Sequence, residues 1–207
     1  MKFSDLLDLA YDERSGRVNT YEIAMRLPDA PATVREVYSD HGRKDQFQAQ
    51  YGPITISEIT WAKVSVSASE IIQCSIYHWF SNWTNNVARR PESFSKAGWH
   101  CIDVRPNIVD YWSKFRTWVE PPVVLDARLL GRPHGLHLME GHTRIGILKG
   151  LISHGVLQSD SQHYIWLGAT NKKGGSLAKP KRLGGRRGGS ALTRQEGLSS
   201  RQAWSPG

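Results

Sequence analysis

A ten-residue segment in the last third of the chain constrains the fold most. Residues 136–145 read Leu-His-Leu-Met-Glu-Gly-His-Thr-Arg-Ile, an alternating apolar run that stops at a glycine followed by three hydrogen-bonding side chains. Alternation is typical of a half-buried strand, and apolar residues at helical spacing follow the glycine. We therefore predict a strand over residues 136–139, a tight turn at Gly141 and a helix that ends near Gly155.

The segments around this corner predict an α+β fold with a small mixed sheet over residues 98–170. A helix should begin near Asn107, because Asp110 follows it at capping-box spacing and Ile108 and Trp112 share one face. The predicted strands are residues 101–104, 121–130, 136–139 and 164–167. The second and third of these are expected to pair as neighbours.

Residues 1–97 are predicted to form a mostly helical region, whose role the sequence leaves open. Three pairs have the spacing of capping boxes: Asn19 with Glu22, Thr33 with Glu36, and Ser67 with Glu70. One helix is predicted from about Ala68 onward, with an apolar face formed by Ile72, Ile76, Trp79, Phe80, Trp83 and Val87. An aromatic stripe of this kind is usually core. A short strand is predicted over residues 59–66.

The positive charge of the chain is concentrated in its last segment. Residues 171–207 contain nine Lys or Arg and one Glu, which accounts for the whole net charge of +8. Their Gly-, Ser- and Lys/Arg-rich composition predicts a disordered tail. We favour an extension without a role for this tail, and binding of nucleic acid, which would be confined to the tail, is the alternative.

Other composition features favour a cytoplasmic protein. No apolar run approaches the roughly 20 residues of a membrane span, and the first residues lack the apolar stretch of a signal peptide. Cys74 and Cys101 lie in apolar surroundings without metal-ligand spacing, so we predict buried free thiols and no metal site built from the chain alone.

The corner at residues 140–144 has the chemistry of a phosphate site. A helix start presents N–H groups without helical partners and a partial positive charge. Gly141 would let the backbone approach a ligand, Thr143 offers a hydroxyl, and Arg144 offers a planar fork for phosphate oxygens. His142 can donate or transfer a proton. Glu140 would repel a phosphate directly, so its expected roles are to hold a metal ion, to orient His142 or Arg144, or to accept a proton.

The run from Leu138 to Ile145 resembles the signature of the ParB/sulfiredoxin superfamily, in which an apolar strand precedes an acidic residue, Gly, His, any residue and Arg. The strand at residues 122–126 and the helix after Gly141 also lie where that superfamily places them, so the resemblance covers about residues 100–170. It implies nucleotide or phosphate binding at the corner. Members of the superfamily include CTP-dependent chromosome-partitioning switches, an ATP-dependent sulfinic-acid reductase and free-serine kinases.

Within the superfamily, the free-serine kinases resemble this chain best. They carry Asp-Gly-His-Thr-Arg, which matches residues 140–144 with Glu in place of Asp. The corner lacks the Cys of sulfiredoxin, and no helix-turn-helix pattern follows it as in the partitioning proteins. The kinases also need a carboxylate from an earlier element as base, for which Glu120 and Asp126 are the candidates. With Asp126 in that place, the resemblance implies a catalytic set of Glu140, His142 and Asp126.

Three functional hypotheses follow. The first is a nucleotide-dependent phosphotransferase or hydrolase that uses ATP, ADP or CTP with Mg²⁺ and a small hydroxyl-bearing acceptor. In it, Gly141, His142, Thr143 and Arg144 bind the phosphates. The second is a non-catalytic module in which nucleotide binding changes the surface presented to a protein or nucleic-acid partner. The third is a structural corner, in which Arg144 and His142 cap a neighbouring helix or pair with Glu140.

Overall fold

The computed structural model describes residues 1–170, which form an α+β fold as predicted. The predicted disorder of residues 171–207, and the question whether they bind nucleic acid or have no role, lie outside the described part of the chain. Within that part, no helix is long and apolar enough to cross a membrane.

Five strands of the described residues form one mixed sheet in the order β1-β5-β3-β4-β2. Their bounds are β1 Ile59–Ser67, β2 Ser75–Ile76, β3 Val123–Asp126, β4 Leu136–Glu140 and β5 Gln162–Thr170. The β1–β5 and β3–β4 pairs are antiparallel, whereas β3–β5 and β2–β4 are parallel. The predicted pairing of the strand near residue 123 with the strand near residue 138 is confirmed.

Within residues 1–170, eight α-helices lie around the sheet. They are α1 Thr20–Arg26, α2 Ala32–His41, α3 Asp45–Tyr51, α4 Ala68–Ile71, α5 His78–Ala88, α6 Phe94–Ala97, α7 Pro106–Phe115 and α8 His142–Ser153. Short 3-10 helices occupy Phe3–Asp8, Ile56–Glu58, Arg90–Ser93, Gly98–Cys101 and Ala127–Leu130. The predicted helices near Asn107 and after Gly141 are confirmed as α7 and α8, although α7 begins at Pro106, before the predicted capping residue Asn107.

Two of the predicted elements are wrong. The single helix from Ala68 to Val87 is interrupted, because Ser75 and Ile76 pair with the edge of β4 before α5 begins at His78. Pairing with a sheet edge here overrides the helical spacing of the apolar residues. The predicted strand at 101–104 is instead the end of a 3-10 helix and a loop, in which the Asp103 carboxylate accepts the backbone N–H of Arg105 at 2.9 Å.

The predicted helix and strand boundaries are also adjusted. Ser67 and Glu70 form the predicted capping box, and Asn19 accepts a hydrogen bond from the Tyr21 N–H. The box at Thr33 is wrong, since α2 already begins at Ala32 after Pro31. The strand predicted over residues 121–130 stops at Asp126, whose side chain caps the following 3-10 helix.

The two faces of the sheet carry two apolar clusters. Alternate residues of β3 point to opposite faces, so Val123 and Leu125 join the cluster of the N-terminal helices while Val124 joins the cluster that contains α7 and α8. Strands β1 and β2 come from residues 1–97 but form the two edges of the same sheet. One sheet therefore contains strands from both sides of the predicted boundary between residues 97 and 98.

Helices α5 and α8 pack unusually closely because two glycines of α8 face α5. A Cβ atom at Gly146 would lie 2.8 Å from the Thr84 carbonyl oxygen, and one at Gly150 would collide with the Ala88 carbonyl oxygen. Both obstacles are backbone atoms, which cannot rotate away. This contact fixes the position of α5, and hence of its aromatic side chains, relative to the first turn of α8.

We expect Gly150→Ala to destabilise the fold. Alanine favours a helix over glycine by about 1 kcal/mol, but overpacking a close helix contact costs about 1–3 kcal/mol, and a backbone obstacle places this site in the upper part of that range. Urea unfolding should show a net loss of stability. Ser153→Ala, on the exposed side of the same helix, is the control and should change stability by less than about 0.5 kcal/mol. An unchanged unfolding midpoint for Gly150→Ala would contradict the close packing.

Candidate functional site

The corner between β4 and α8 is built as a strand, a glycine turn and a helix start. β4 ends at Glu140, Gly141 is the N-cap residue of α8, and the Ile145 N–H donates the first helical hydrogen bond to the Gly141 carbonyl at 3.0 Å. The N–H groups of His142, Thr143 and Arg144 thus precede the helical hydrogen-bond ladder. These are the groups that bind anions at helix starts.

Gly141 is required at this turn by two features of the backbone. Its φ of 108° lies in the region that side chains rarely adopt, and a Cβ atom would stand 2.5 Å from Cβ of Pro122. Pro122 immediately precedes β3. The first turn of α8 is therefore held directly against the start of the neighbouring strand.

The corner opens into a cavity of about 610 Å³, within the usual size range of small-molecule sites. One side of the cavity is formed by residues Glu140 to Arg144. Its aromatic lining consists of Phe47, Phe80, Trp83, Trp112 and Trp118, and its remaining polar lining of His41, Arg105, Asn107 and Glu120. Large apolar walls with a few polar groups are typical of ligand sites.

His142 is a partly buried polar group of the corner. Its ring packs on Phe80 with the centroids 4.2 Å apart, and its buried Nε2 atom has no hydrogen-bond partner among the residues that the structure describes. Burial, together with His137, His41 and Arg144, lowers the pKa of His142 to about 4. The imidazole is therefore neutral at pH 7, with one nitrogen able to donate and the other to accept.

Arg144 and Thr143 already have partners. The Arg144 guanidinium donates to the Glu140 carboxylate at 3.1 Å, and both side chains are about a quarter exposed. The Thr143 hydroxyl accepts a hydrogen bond from Nε1 of Trp83 at 3.1 Å. The predicted pairing of Arg144 with Glu140 is thus present, and it leaves the guanidinium at the wall of the cavity.

Asp126 does not lie at the corner, so the structure does not bring it together with Glu140 and His142. In the β3–β4 pair, Val123 is opposite Glu140 and Asp126 is opposite Leu136, three residues or about 10 Å further along the strand. The Asp126 carboxylate instead binds the Arg128 guanidinium and backbone N–H, and the hydrogen bonds from that side chain lower the pKa of Asp126. The other candidate, Glu120, is exposed and lines the cavity.

The sequence did not identify several residues of the site. Phe80 and Trp83 were expected to be core, yet both line the cavity and Trp83 is 52% exposed. His41 reaches the cavity from α2 and stacks on Phe47 with the centroids 4.4 Å apart. Nothing in the local sequence marks His41 as a neighbour of a corner one hundred residues away.

His137, in β4, lies in a buried polar pocket. It is fully buried, with Nε2 2.9 Å from both the Tyr51 hydroxyl and the Gln50 amide, and Nδ1 2.9 Å from the Ser75 hydroxyl. Both ring nitrogens are thus used to join α3 and β2 to β4. Within residues 1–170, no group of three or more His, Cys, Asp or Glu side chains is arranged to hold a metal ion.

Comparisons with known proteins found no matching family model, no matching curated protein and no matching solved structure. The similarity of the corner to the ParB/sulfiredoxin signature therefore rests on the residues of the corner itself and stays a prediction.

We expect protein stability to fall as the pH is lowered from 7 to 5. Burial lowers the pKa values of four histidines to about 4, from the ordinary value of 6.5, namely those of His41, His137, His142 and His163. Between pH 6.5 and pH 4 the unfolded chain therefore binds more protons than the folded one, so the free energy of unfolding decreases with decreasing pH.

Substitution of His142 measures how much this residue contributes to the loss of stability at low pH. Urea unfolding of His142→Gln at several pH values should show a shallower loss of stability below pH 6.5 than the unsubstituted protein. His134→Gln, in an exposed loop, should keep the original slope. Equal slopes for all three proteins would contradict the burial of a neutral imidazole at residue 142.

Proposed function

We propose that the protein binds a nucleotide in the cavity, with its phosphates on the first turn of α8. One observation carries the proposal: the N–H groups of residues 142–144, the Arg144 side chain and the unpartnered His142 nitrogen belong to one helical turn that lines a cavity of about 610 Å³. The helix start favours negative charge, and the guanidinium can bind two phosphate oxygens at once.

A carboxylate beside the phosphate turn fits a magnesium nucleotide better than a bare one. Glu140 lines the cavity at that turn, whereas a metal site held by the chain alone would need more ligands than it supplies. Magnesium is usually held by one or two carboxylates together with substrate phosphates. In this proposal Mg²⁺ neutralises the phosphates, and Glu140 holds Arg144 in place until the phosphates arrive.

Phosphotransfer or hydrolysis is the activity to test at this site. The resemblance to the free-serine kinases supports a small hydroxyl-bearing acceptor, and Glu120 is the carboxylate with an exposed position at the cavity. It is the base we propose for the acceptor hydroxyl, in place of Asp126. A cytoplasmic location, where such nucleotides are abundant, remains a prediction from the sequence.

A non-catalytic nucleotide-binding module is the second candidate, and the pairing of Glu140 with Arg144 favours it. The Glu140 carboxylate accepts from the Arg144 guanidinium at 3.1 Å, which gives the corner an ion pair that an incoming anion can displace. Binding of phosphates to Arg144 would break this pair and so change the contacts of the corner with its surroundings. This candidate predicts binding without turnover.

We expect Arg144→Ala to weaken binding of ATP with Mg²⁺ at least about tenfold, because a hydrogen bond to a charged group contributes about 1.5–3 kcal/mol. Isothermal titration calorimetry of the full chain measures this. Lys149→Ala is the matched control, since it removes the same charge from an exposed position of α8 outside the cavity. Both variants keep the basic residues 171–207, so any binding of ATP to those residues is common to both. Equal affinities for both variants would overturn the proposed phosphate site.

The two candidate functions differ in the behaviour of Glu120→Gln. An enzyme with Glu120 as base should keep its ATP affinity within about twofold and lose most of its turnover, because a base acts in the reaction and not in binding. Turnover is measured as ADP release with and without small hydroxyl compounds. Absence of ADP release from the unsubstituted protein, while ATP binds, would establish the binding module instead.

A further inference from the structure

Trp83 is the aromatic residue of the cavity with an open ring surface. Its side chain is 52% exposed, whereas Trp112, Trp118 and Phe47 are each less than 5% exposed. One face of Phe80 is covered by the His142 ring. An additional planar group can therefore stack on Trp83 without displacing a residue of the core.

The position of the Trp83 ring is fixed by two contacts with α8. Its Nε1 donates to the Thr143 hydroxyl at 3.1 Å, and the helix that carries it packs on Gly146 and Gly150. An indole held in this way loses little conformational freedom when a ligand stacks on it, so more of the contact energy appears as affinity. The same hydrogen bond places the ring beside the turn proposed to bind phosphates.

We propose that Trp83 is the stacking platform for the base of the bound nucleotide. This inference rests on the proposed function and extends it, because it assigns the second half of the ligand to a named residue. Stacking of a base on an aromatic side chain raises affinity about fivefold to a hundredfold and tolerates different bases, since every base has a π face. Purines, which have the larger ring system, should bind more tightly than pyrimidines.

Trp79 provides a matched control on the same helix. It is 68% exposed, one turn before Trp83, but it does not line the cavity. Trp79→Ala removes an equally large, exposed indole from α5. Trp83→Phe keeps an aromatic ring while removing the hydrogen bond to Thr143, and so separates stacking from the role of the indole N–H.

The test compares a ligand that has a base with one that lacks it. Calorimetric titrations of the full chain with ATP and with tripolyphosphate, each with Mg²⁺, are made for the unsubstituted protein, Trp83→Ala, Trp83→Phe and Trp79→Ala, after thermal unfolding has shown that each variant is folded. Binding is assigned to the cavity only where it is lost in the Arg144→Ala variant. Trp83→Ala should weaken ATP binding about tenfold and leave tripolyphosphate binding unchanged. Trp83→Phe and Trp79→Ala should bind both ligands almost as the unsubstituted protein does.

Each other outcome overturns the stacking platform. Equal affinity of the unsubstituted protein for ATP and tripolyphosphate would mean that the base makes no contact, while the phosphate site would still stand. Equal weakening of both ligands by Trp83→Ala, or a loss in Trp83→Phe as large as in Trp83→Ala, would show that the indole supports the phosphate turn through Thr143. Binding of neither ligand would overturn the proposed function together with this inference.

Discussion

The close contact between α5 and α8 is the constraint on which the candidate site depends. Two α8 residues without side chains, Gly146 and Gly150, bring the α8 backbone against that of α5. Phe80 and Trp83 of α5 therefore lie directly beside the first turn of α8, where Phe80 covers the His142 ring and Trp83 donates to Thr143. A larger separation of these helices would leave the helix start open to water, where hydrogen bonds to solvent compete with a ligand.

The polar groups of the corner are held in a state that is suited to receive an anion. Burial keeps His142 neutral, so the imidazole adds no repulsion to Arg144 and retains one donor and one acceptor. Glu140 holds the Arg144 side chain at the wall of the cavity in the absence of a ligand. Because both side chains are about a quarter exposed, this pair is screened by water and can exchange for phosphate oxygens at modest cost.

Local sequence patterns predicted the corner well and its surroundings poorly. The strand, turn and helix around Gly141 follow from alternation, a glycine and helical spacing, which are properties of adjacent residues. The interruption between α4 and α5 does not follow from such local patterns, because it results from the pairing of Ser75 and Ile76 with a strand about sixty residues away. The exposure of Trp83 and the distance of Asp126 from the corner are likewise set by packing and strand register, which one sequence does not reveal.

The most direct test of the phosphate site is to follow the backbone N–H groups themselves. We would titrate the ¹⁵N-labelled full chain with tripolyphosphate and record amide chemical shifts by NMR. We predict that the largest shifts occur at His142, Thr143 and Arg144, with a saturation curve that disappears in Arg144→Ala. Shifts that leave these three amides unchanged, while other parts of the chain respond, would contradict the assignment of the phosphates to the first turn of α8.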